Sequence, residues 1–266
     1  VRTGLPGPGL PLALLLAAAL SALAASPRPE PPREVRVAAA ADLKFALDAV
    51  LAATAGQAPG LLPSVTYGSS GSFYAQIGNG APYDLFLSAD VDYPRRLAAR
   101  GLAEGDVFLY AVGRVAVWVP STSRLDLATL GLGALLDPSV RKVAIANPRH
   151  APYGRAAEAA MKSLGVWDGV KAKLVLGENV AQTAQFVQSG AADVGIVALS
   201  LAVAPRLREA GRHVEIPFES YPRMDQGGIV LKGARNPAGA RALRDLLLGP
   251  RGREVLAEYG FFLPAP

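Results

Sequence analysis

Residues 63–90 read P-S-V-T-Y-G-S-S-G-S-F-Y-A-Q-I-G-N-G-A-P-Y-D-L-F-L-S-A-D, and the fold class is decided here. Val65 and Tyr67 alternate with polar neighbours as strand residues do, and Phe73, Tyr74 and Ile77 then fall at helical spacing. Residues 84–88 (D-L-F-L-S) return to a short strand. Strand, helix, strand in so short a span is the unit of a parallel sheet with helices on its faces. Between the first strand and the helix lie Gly68, Ser69, Ser70 and Gly71. A strand that empties through small hydroxyl residues into a helix start leaves backbone N–H groups free at the positive end of the helix dipole. Such a junction suits an anion. The same serines are also what a plain helix cap uses, so the rest of the chain has to discriminate.

Outward from this stretch the unit recurs. Upstream, residues 35–40 (V-R-V-A-A-A) read as a buried strand, and residues 42–54 place Leu43, Ala46, Leu47, Val50 and Leu51 on one helical stripe, with Asp42 where an N-cap belongs. Downstream come a helix over residues 91–100, an apolar strand over 113–120 (G-R-V-A-V-W-V-P), a helical run over 127–136 and a buried strand over 142–146. That last strand runs into N-P-R-H-A-P-Y-G at 147–154, where Pro152 pre-sets the turn and a helix is expected near Arg155. Residues 173–176, 180–189 and 192–198 repeat strand, helix, strand; residues 228–232 form a strand and 237–259 a pair of helices. Several strand ends therefore meet helix starts, the positions where ligands collect in open α/β sheets. The expected architecture is α/β and two-lobed, each lobe a mostly parallel sheet flanked by helices, with a cleft between. Residues 35–114 form the first lobe, 115–220 the second, and 221–266 return to the first.

Ahead of this, residues 1–24 read as a cleaved signal peptide: Arg2, an apolar run from Leu10 to Leu20, then Ala22-Leu23-Ala24. Residues 25–34 are a Pro-rich spacer. At 266 residues the chain suits one large domain or two modest ones. Its formal charge of +5 comes from dispersed Arg and Lys without interleaved aromatics, which argues against a nucleic-acid partner. With no Cys and two His, thiolate metal centres, disulfides and a haem or zinc site drop out. His150 could serve Ser70 as a base, but G-S-S-G-S is not the G-x-S-x-G of a nucleophile elbow. A solvated turn is the simpler place for His150, and a polar surface loop for His213. Trp118 and Trp167 read as packing, Arg155 as an exposed first-turn residue or an anion contact, and Glu178 as a brace or a surface group.

The pieces A-A-A-A-D-L-K-F-A-L (38–47), the G-S-S-G stretch, I-A-N-P-R-H-A-P-Y-G-R-A-A (145–157), L-G-V-W-D (164–168), L-G-E-N-V-A-Q (176–182), D-V-G-I-V-A-L-S (193–200) and Y-G-F (259–261) together resemble the periplasmic molybdate-binding proteins of ABC transporters. The resemblance runs in order from Val35 to Phe261. It implies the type II periplasmic binding protein fold, with molybdate or tungstate held between the lobes as an oxyanion. No cofactor and no free metal ion are then needed, the protein is not an enzyme, and its partner is a membrane permease. A monomer in the periplasm is expected.

Carried over residue by residue, the resemblance implies that Ser70 gives a hydroxyl and an N–H, and that Val180 and Tyr153 give backbone N–H groups. Ala41 and Asp42 stand where the family usually has Ser, Thr or Asn; Ala41 has no hydroxyl, so only main-chain donors serve there. Ala198 stands where some members carry a Tyr. Molybdate is a proton-free dianion, so fixed neutral donors suit it and a carboxylate facing it would repel it. The Asp42 side chain is therefore expected to turn away. A sulfate- or thiosulfate-binding protein, or an enzyme on the same fold, are the alternatives.

Overall fold

Five strands form the first sheet. In the computed structural model, which describes residues 34–264 together with Val1, Thr3 and Gly4, strand β1 (Glu34–Ala40) lies between β2 (Leu62–Gly68) and β3 (Leu85–Ser88), parallel to both. The expected signal peptide, apart from Val1, Thr3 and Gly4, and all of the spacer except Glu34 lie outside the described residues. Beyond β3 comes β10 (Met224–Val230), antiparallel to β3 and to the edge strand β4 (Phe108–Gly113). Interior position explains the composition of β1: buried on both faces, it is built mainly from Val and Ala, small enough for helices to approach closely. Alternation then sorts the faces. Val37, Ala39, Leu85 and Leu87 pack with Leu43 and with Leu47 and Val50 of helix α1 (Lys44–Ala53). Ala38 and Phe86 point the other way, toward Phe73 and Ile77 of α2 (Ser70–Gly78) and Leu97 of α3 (Asp92–Ala99).

The second sheet has β6 (Val143–Ala146) between β7 (Leu174–Gly177) and β8 (Val194–Ala198), all parallel. Strand β5 (Val115–Pro120) pairs antiparallel with β8 and with the edge strand β9 (Gly211–Glu215). Helices α4 (Pro152–Ser163) and α5 (Val180–Gln188) follow β6 and β7. Trp118, Ile145, Met161, Val187 and Ile196 lie in one apolar core, and the Trp118 Nε1 donates to the Leu207 carbonyl at 3.3 Å. Helices α6 (Pro237–Leu248) and α7 (Pro250–Glu258) return to the first lobe, where Leu243, Leu247, Val255 and Leu256 pack beside α1. Residues Arg33–Pro266 form one compact unit. Among the described residues no helix is long and apolar enough to cross a membrane.

Four details differ from the sequence expectation. Each sheet is mixed: three parallel strands are joined by two antiparallel ones. The apolar run at 113–120 is not one strand, because Gly113 ends β4 in the first sheet and Val115 begins β5 in the second, with Arg114 alone between them. Helix α4 starts at Pro152 rather than near Arg155, with proline in the first turn where its missing N–H is harmless. His213 is not in a loop: it lies on β9 opposite Trp118, half-buried, and burial pushes its imidazole pKa down. The segment G-R-H-V-E has little strand character of its own, and pairing with β5 supplies it.

Asp84, fully buried at the start of β3, ties three segments together. Its carboxylate accepts the Arg36 N–H at 2.7 Å, the Arg235 N–H at 2.6 Å and the Asn236 N–H at 3.4 Å, with the Arg36 guanidinium alongside. Burial pushes the carboxyl pKa up, but those donors outweigh it and hold the group below the ordinary carboxylate value.

Candidate functional site

Where the two lobes meet, four chain segments surround a small cavity with an empty volume of ≈ 200 Å³. Its lining comes from the end of β1 (Ala40, Ala41, Asp42), the β2–α2 junction (Gly68, Ser69, Ser70), the start of α4 (Ala151, Pro152, Tyr153) and the start of α5 (Asn179, Val180), with Ala89 beside them. Ala41, Asp42, Ser70, Tyr153 and Val180 thus all border one space. No cationic side chain lines it.

Local sequence leaves particular amides unspoken for. In α5 the Asn179 side chain caps the helix, its Oδ1 accepting from Ala181 N and Gln182 N at 3.0 Å each, so Val180 N–H is left over. In α4 the Gly154 N–H goes to the Ala151 carbonyl and Pro152 has none, so Tyr153 carries the free first-turn donor. In α2 the Gly71 N–H bonds to His150 O at 2.9 Å, leaving Ser70. Ser70 adds a second donor: its Oγ accepts from Ala89 N at 3.0 Å, which occupies a lone pair and keeps the hydroxyl proton available. Ser69, extended at φ −80° and ψ 136°, caps nothing and sends its hydroxyl to His150 O at 2.6 Å. The short 3-10 turn Ala41–Leu43 supplies the first-turn N–H groups of Ala41 and Asp42 ahead of α1.

Asp42 does not cap its helix. It is 1% exposed, and its Oδ2 accepts from Gln226 Nε2 at 2.7 Å and from the Tyr153 hydroxyl at 3.0 Å. Both donors sit against Gly113, where the chain crosses between sheets, and neither Gln226 nor Gly113 borders the cavity. The carboxylate is therefore fastened on the crossover side. Its Oδ1 and the Gln226 Oε1 have no protein partner. Burial, opposed by the Gln226 and Tyr153 hydrogen bonds and by the Asp42 and Leu43 amides, raises the Asp42 pKa to about 6. Burial and the Asp42 charge push the Tyr153 hydroxyl well above its ordinary value. Ala198, buried at the end of β8, contributes nothing to the lining.

Residues 35–262 match the family model of bacterial extracellular solute-binding proteins. The chain belongs to that family. Among known relatives of this solute-binding protein, the molybdate-binding protein ModA of Rhodobacter capsulatus is 38% identical over 201 residues, covering 74% of this chain and 77% of the relative. ModA of Azotobacter vinelandii is 40% identical over 201 residues, covering 74% and 78%. The solved structure of the Azotobacter vinelandii periplasmic molybdate-binding protein superposes with a TM-score of 0.80 at 32% identity, covering 87% of this chain and 100% of that one. Similarity to that structure agrees with the two-lobed α/β architecture read from the sequence.

Around the cavity the lobes of this solute-binding protein touch through contacts the sequence did not reveal. His150 turns toward the first lobe, its Nδ1 2.9 Å from Ser69 Oγ, and its Nε2 lies 3.5 Å from Glu178. Ser72 donates to Glu178 at 3.0 Å. Arg155 reaches Asp90 at 2.5 Å and the Tyr93 hydroxyl at 3.1 Å, and Ser200 donates to the Asp42 carbonyl at 2.8 Å. His150, partly buried, and Arg155, still exposed near the start of its helix, thus both reach across to the other lobe. A larger groove, with an empty volume of ≈ 890 Å³, opens beside them between Asp90, Arg95, Arg155 and Arg223, but each arginine there already pairs with a carboxylate. It offers no unpaired positive charge to an anion.

Proposed function

We propose that this solute-binding protein captures molybdate, or tungstate, and hands it to a membrane permease of an ABC transporter. The observation that carries the reading is the set of donors left at the cavity. Ser70, Tyr153 and Val180, with the Ala41–Asp42 turn, offer N–H groups while neighbouring amides are satisfied within the protein. Uncharged, fixed donors at helix starts from both lobes suit a proton-free dianion. Phosphate near neutral pH keeps a proton and needs an acceptor, and the one carboxylate nearby is anchored through its Oδ2 at the crossover. At an empty volume of ≈ 200 Å³ the cavity has no room for a nucleotide. Relatives named for molybdate binding support the same guest.

Residues 35–114 and 221–266 act as one lobe and 115–220 as the other, closing on the ligand in the periplasm after export. Closure shifts an open–closed equilibrium and presents the permease with a surface formed only in the bound state. The protein works as a monomer and performs no chemistry. Ser69, the hydroxyl nearest His150, already donates to the His150 carbonyl, so the imidazole must donate to it and cannot act as its base. Ser70 has no imidazole beside it.

Calorimetry with molybdate, tungstate, sulfate and phosphate tests the assignment. One tight site for molybdate or tungstate that sulfate displaces poorly is the expected result; equal or tighter binding of sulfate or phosphate contradicts it. In Ser70→Ala the molybdate affinity should fall by about tenfold or more, since a hydrogen bond to a charged group contributes roughly 1.5–3 kcal/mol. Unchanged affinity in that variant removes Ser70 from the site.

A further inference from the structure

Backbone of one lobe meets backbone of the other at a glycine. The Gly71 N–H donates to His150 O at 2.9 Å, and Ser69 Oγ donates to the same oxygen at 2.6 Å. One carbonyl of the second lobe is thus gripped by two groups of the first, on either side of Ser70. A Cβ at position 71 would stand 2.9 Å from the His150 Cα and 2.9 Å from the Tyr93 hydroxyl, and closer still to the His150 carbonyl oxygen. The obstacle is backbone, and it is itself fixed: the His150 and Ala151 N–H groups are both bonded to the Asn147 carbonyl, and the imidazole is held on Ser69. A methyl group could be accommodated only by moving the lobes apart.

Gly71 is not demanded by its own backbone. It lies in the first turn of α2 and has no positive φ, so an alanine there is conformationally ordinary and a better helix former. Of the three atoms nearest to such a Cβ, two belong to the His150 backbone of the second lobe and one is the Tyr93 hydroxyl of the first. We infer that Gly71 is a positioning residue for capture: its missing side chain lets the first-lobe donor helix seat on the His150 carbonyl, and any side chain there holds the lobes apart and leaves the ligand with an incomplete set of donors. This rests on the oxyanion-binding reading given above, but the closure itself can be measured without a ligand.

The chain has no Cys, so Leu62→Cys and Leu176→Cys, at exposed positions on the edge strands β2 and β7, give a clean pair for spin labels. Distances are recorded by double electron–electron resonance with and without molybdate, in three backgrounds: the parent, Gly71→Ala, and Gly78→Ala as a control. A Cβ at Gly78 meets only the tip of the Arg100 side chain, which can move aside. Gly71→Ala should lose the short-distance population in both conditions, bind molybdate at least tenfold more weakly, and melt no lower than the parent without ligand. Gly78→Ala should match the parent in distance and affinity. A short-distance population retained in Gly71→Ala overturns the inference, as does a melting temperature that falls in step with affinity, which would mark a folding role. A parent that closes normally yet ignores molybdate defeats the molybdate reading, while the distances still decide the role of Gly71.

Discussion

Asp42→Asn should make the protein more stable at neutral and alkaline pH, by about 3 kcal/mol at pH 7 and above, with the difference shrinking to a fraction of that near pH 4. The native carboxyl has a pKa of about 6 against an ordinary 3.8, because burial disfavours its charge more than Gln226 and Tyr153 favour it. Between those two values the folded protein binds more protons than the unfolded chain, so stability falls as pH rises through that window. Below it the group is neutral in both states and costs nothing; above it the charge is buried at a cost of about 3 kcal/mol, the equivalent of roughly two pH units. Asparagine keeps an oxygen for Gln226 and Tyr153 and never ionises. Urea unfolding of both proteins from pH 4 to pH 8 checks this: the difference should grow with pH and level off near pH 7. A difference that does not change with pH would mean that Asp42 ionises no differently in the fold.

Asp84→Ala is expected to destabilise the protein by about 3–5 kcal/mol, the usual loss when one member of a buried, hydrogen-bonded charge pair is deleted. The Arg36, Arg235 and Asn236 N–H groups would lose their acceptor at once, and the first of these belongs to the interior strand β1. Its pH dependence has the opposite sign to that of Asp42. The native pKa is held below the ordinary value, so the stabilisation is complete above the unfolded pKa and is lost as pH falls through the folded one. The midpoint of urea unfolding at pH 7 measures the loss, and Asp84→Asn, which retains an acceptor, should fall between. Equal midpoints for wild type and Asp84→Ala would show that the three amides find other partners. Two buried carboxylates thus behave differently because at Asp84 three amides and a guanidinium outweigh burial, while at Asp42 burial outweighs its uncharged donors and one oxygen is orphaned.

Much of the fold was legible because the pattern that makes it is local. The apolar runs of β1, β6 and β8, each leading into small or capping residues, give strand and helix starts directly, and Pro152 and Asn179 mark two of those starts. Strand β9 was illegible because its pairing with β5, not its composition, makes it a strand. The break at Arg114 between two strands of different sheets was hidden inside what reads as one apolar strand. At the site, the free amides at Ser70, Tyr153 and Val180 follow from helix starts, but their convergence requires the two sheets to be placed together. Nothing near His150 or Arg155 hints at their contacts, since Ser69 and Asp90 lie 81 and 65 residues away in sequence. Nor does the chain order reveal on which side of the cavity the Asp42 carboxylate turns; its partner Gln226 comes 184 residues later. The resemblance, not the spacing, named the guest, because neutral donors specify a proton-free anion without choosing among the candidates.

Amide resonances followed during a molybdate titration test the convergence of helix starts most directly. With one equivalent of molybdate, the amide protons of Ser70, Tyr153 and Val180 should all move downfield together, with Ala41 or Asp42. Those of Gly154, Ala181 and Gln182, already bonded within the protein, should move much less. Saturating binding that leaves Ser70, Tyr153 and Val180 in place, or shifts amides of only one lobe, would contradict a ligand held by both.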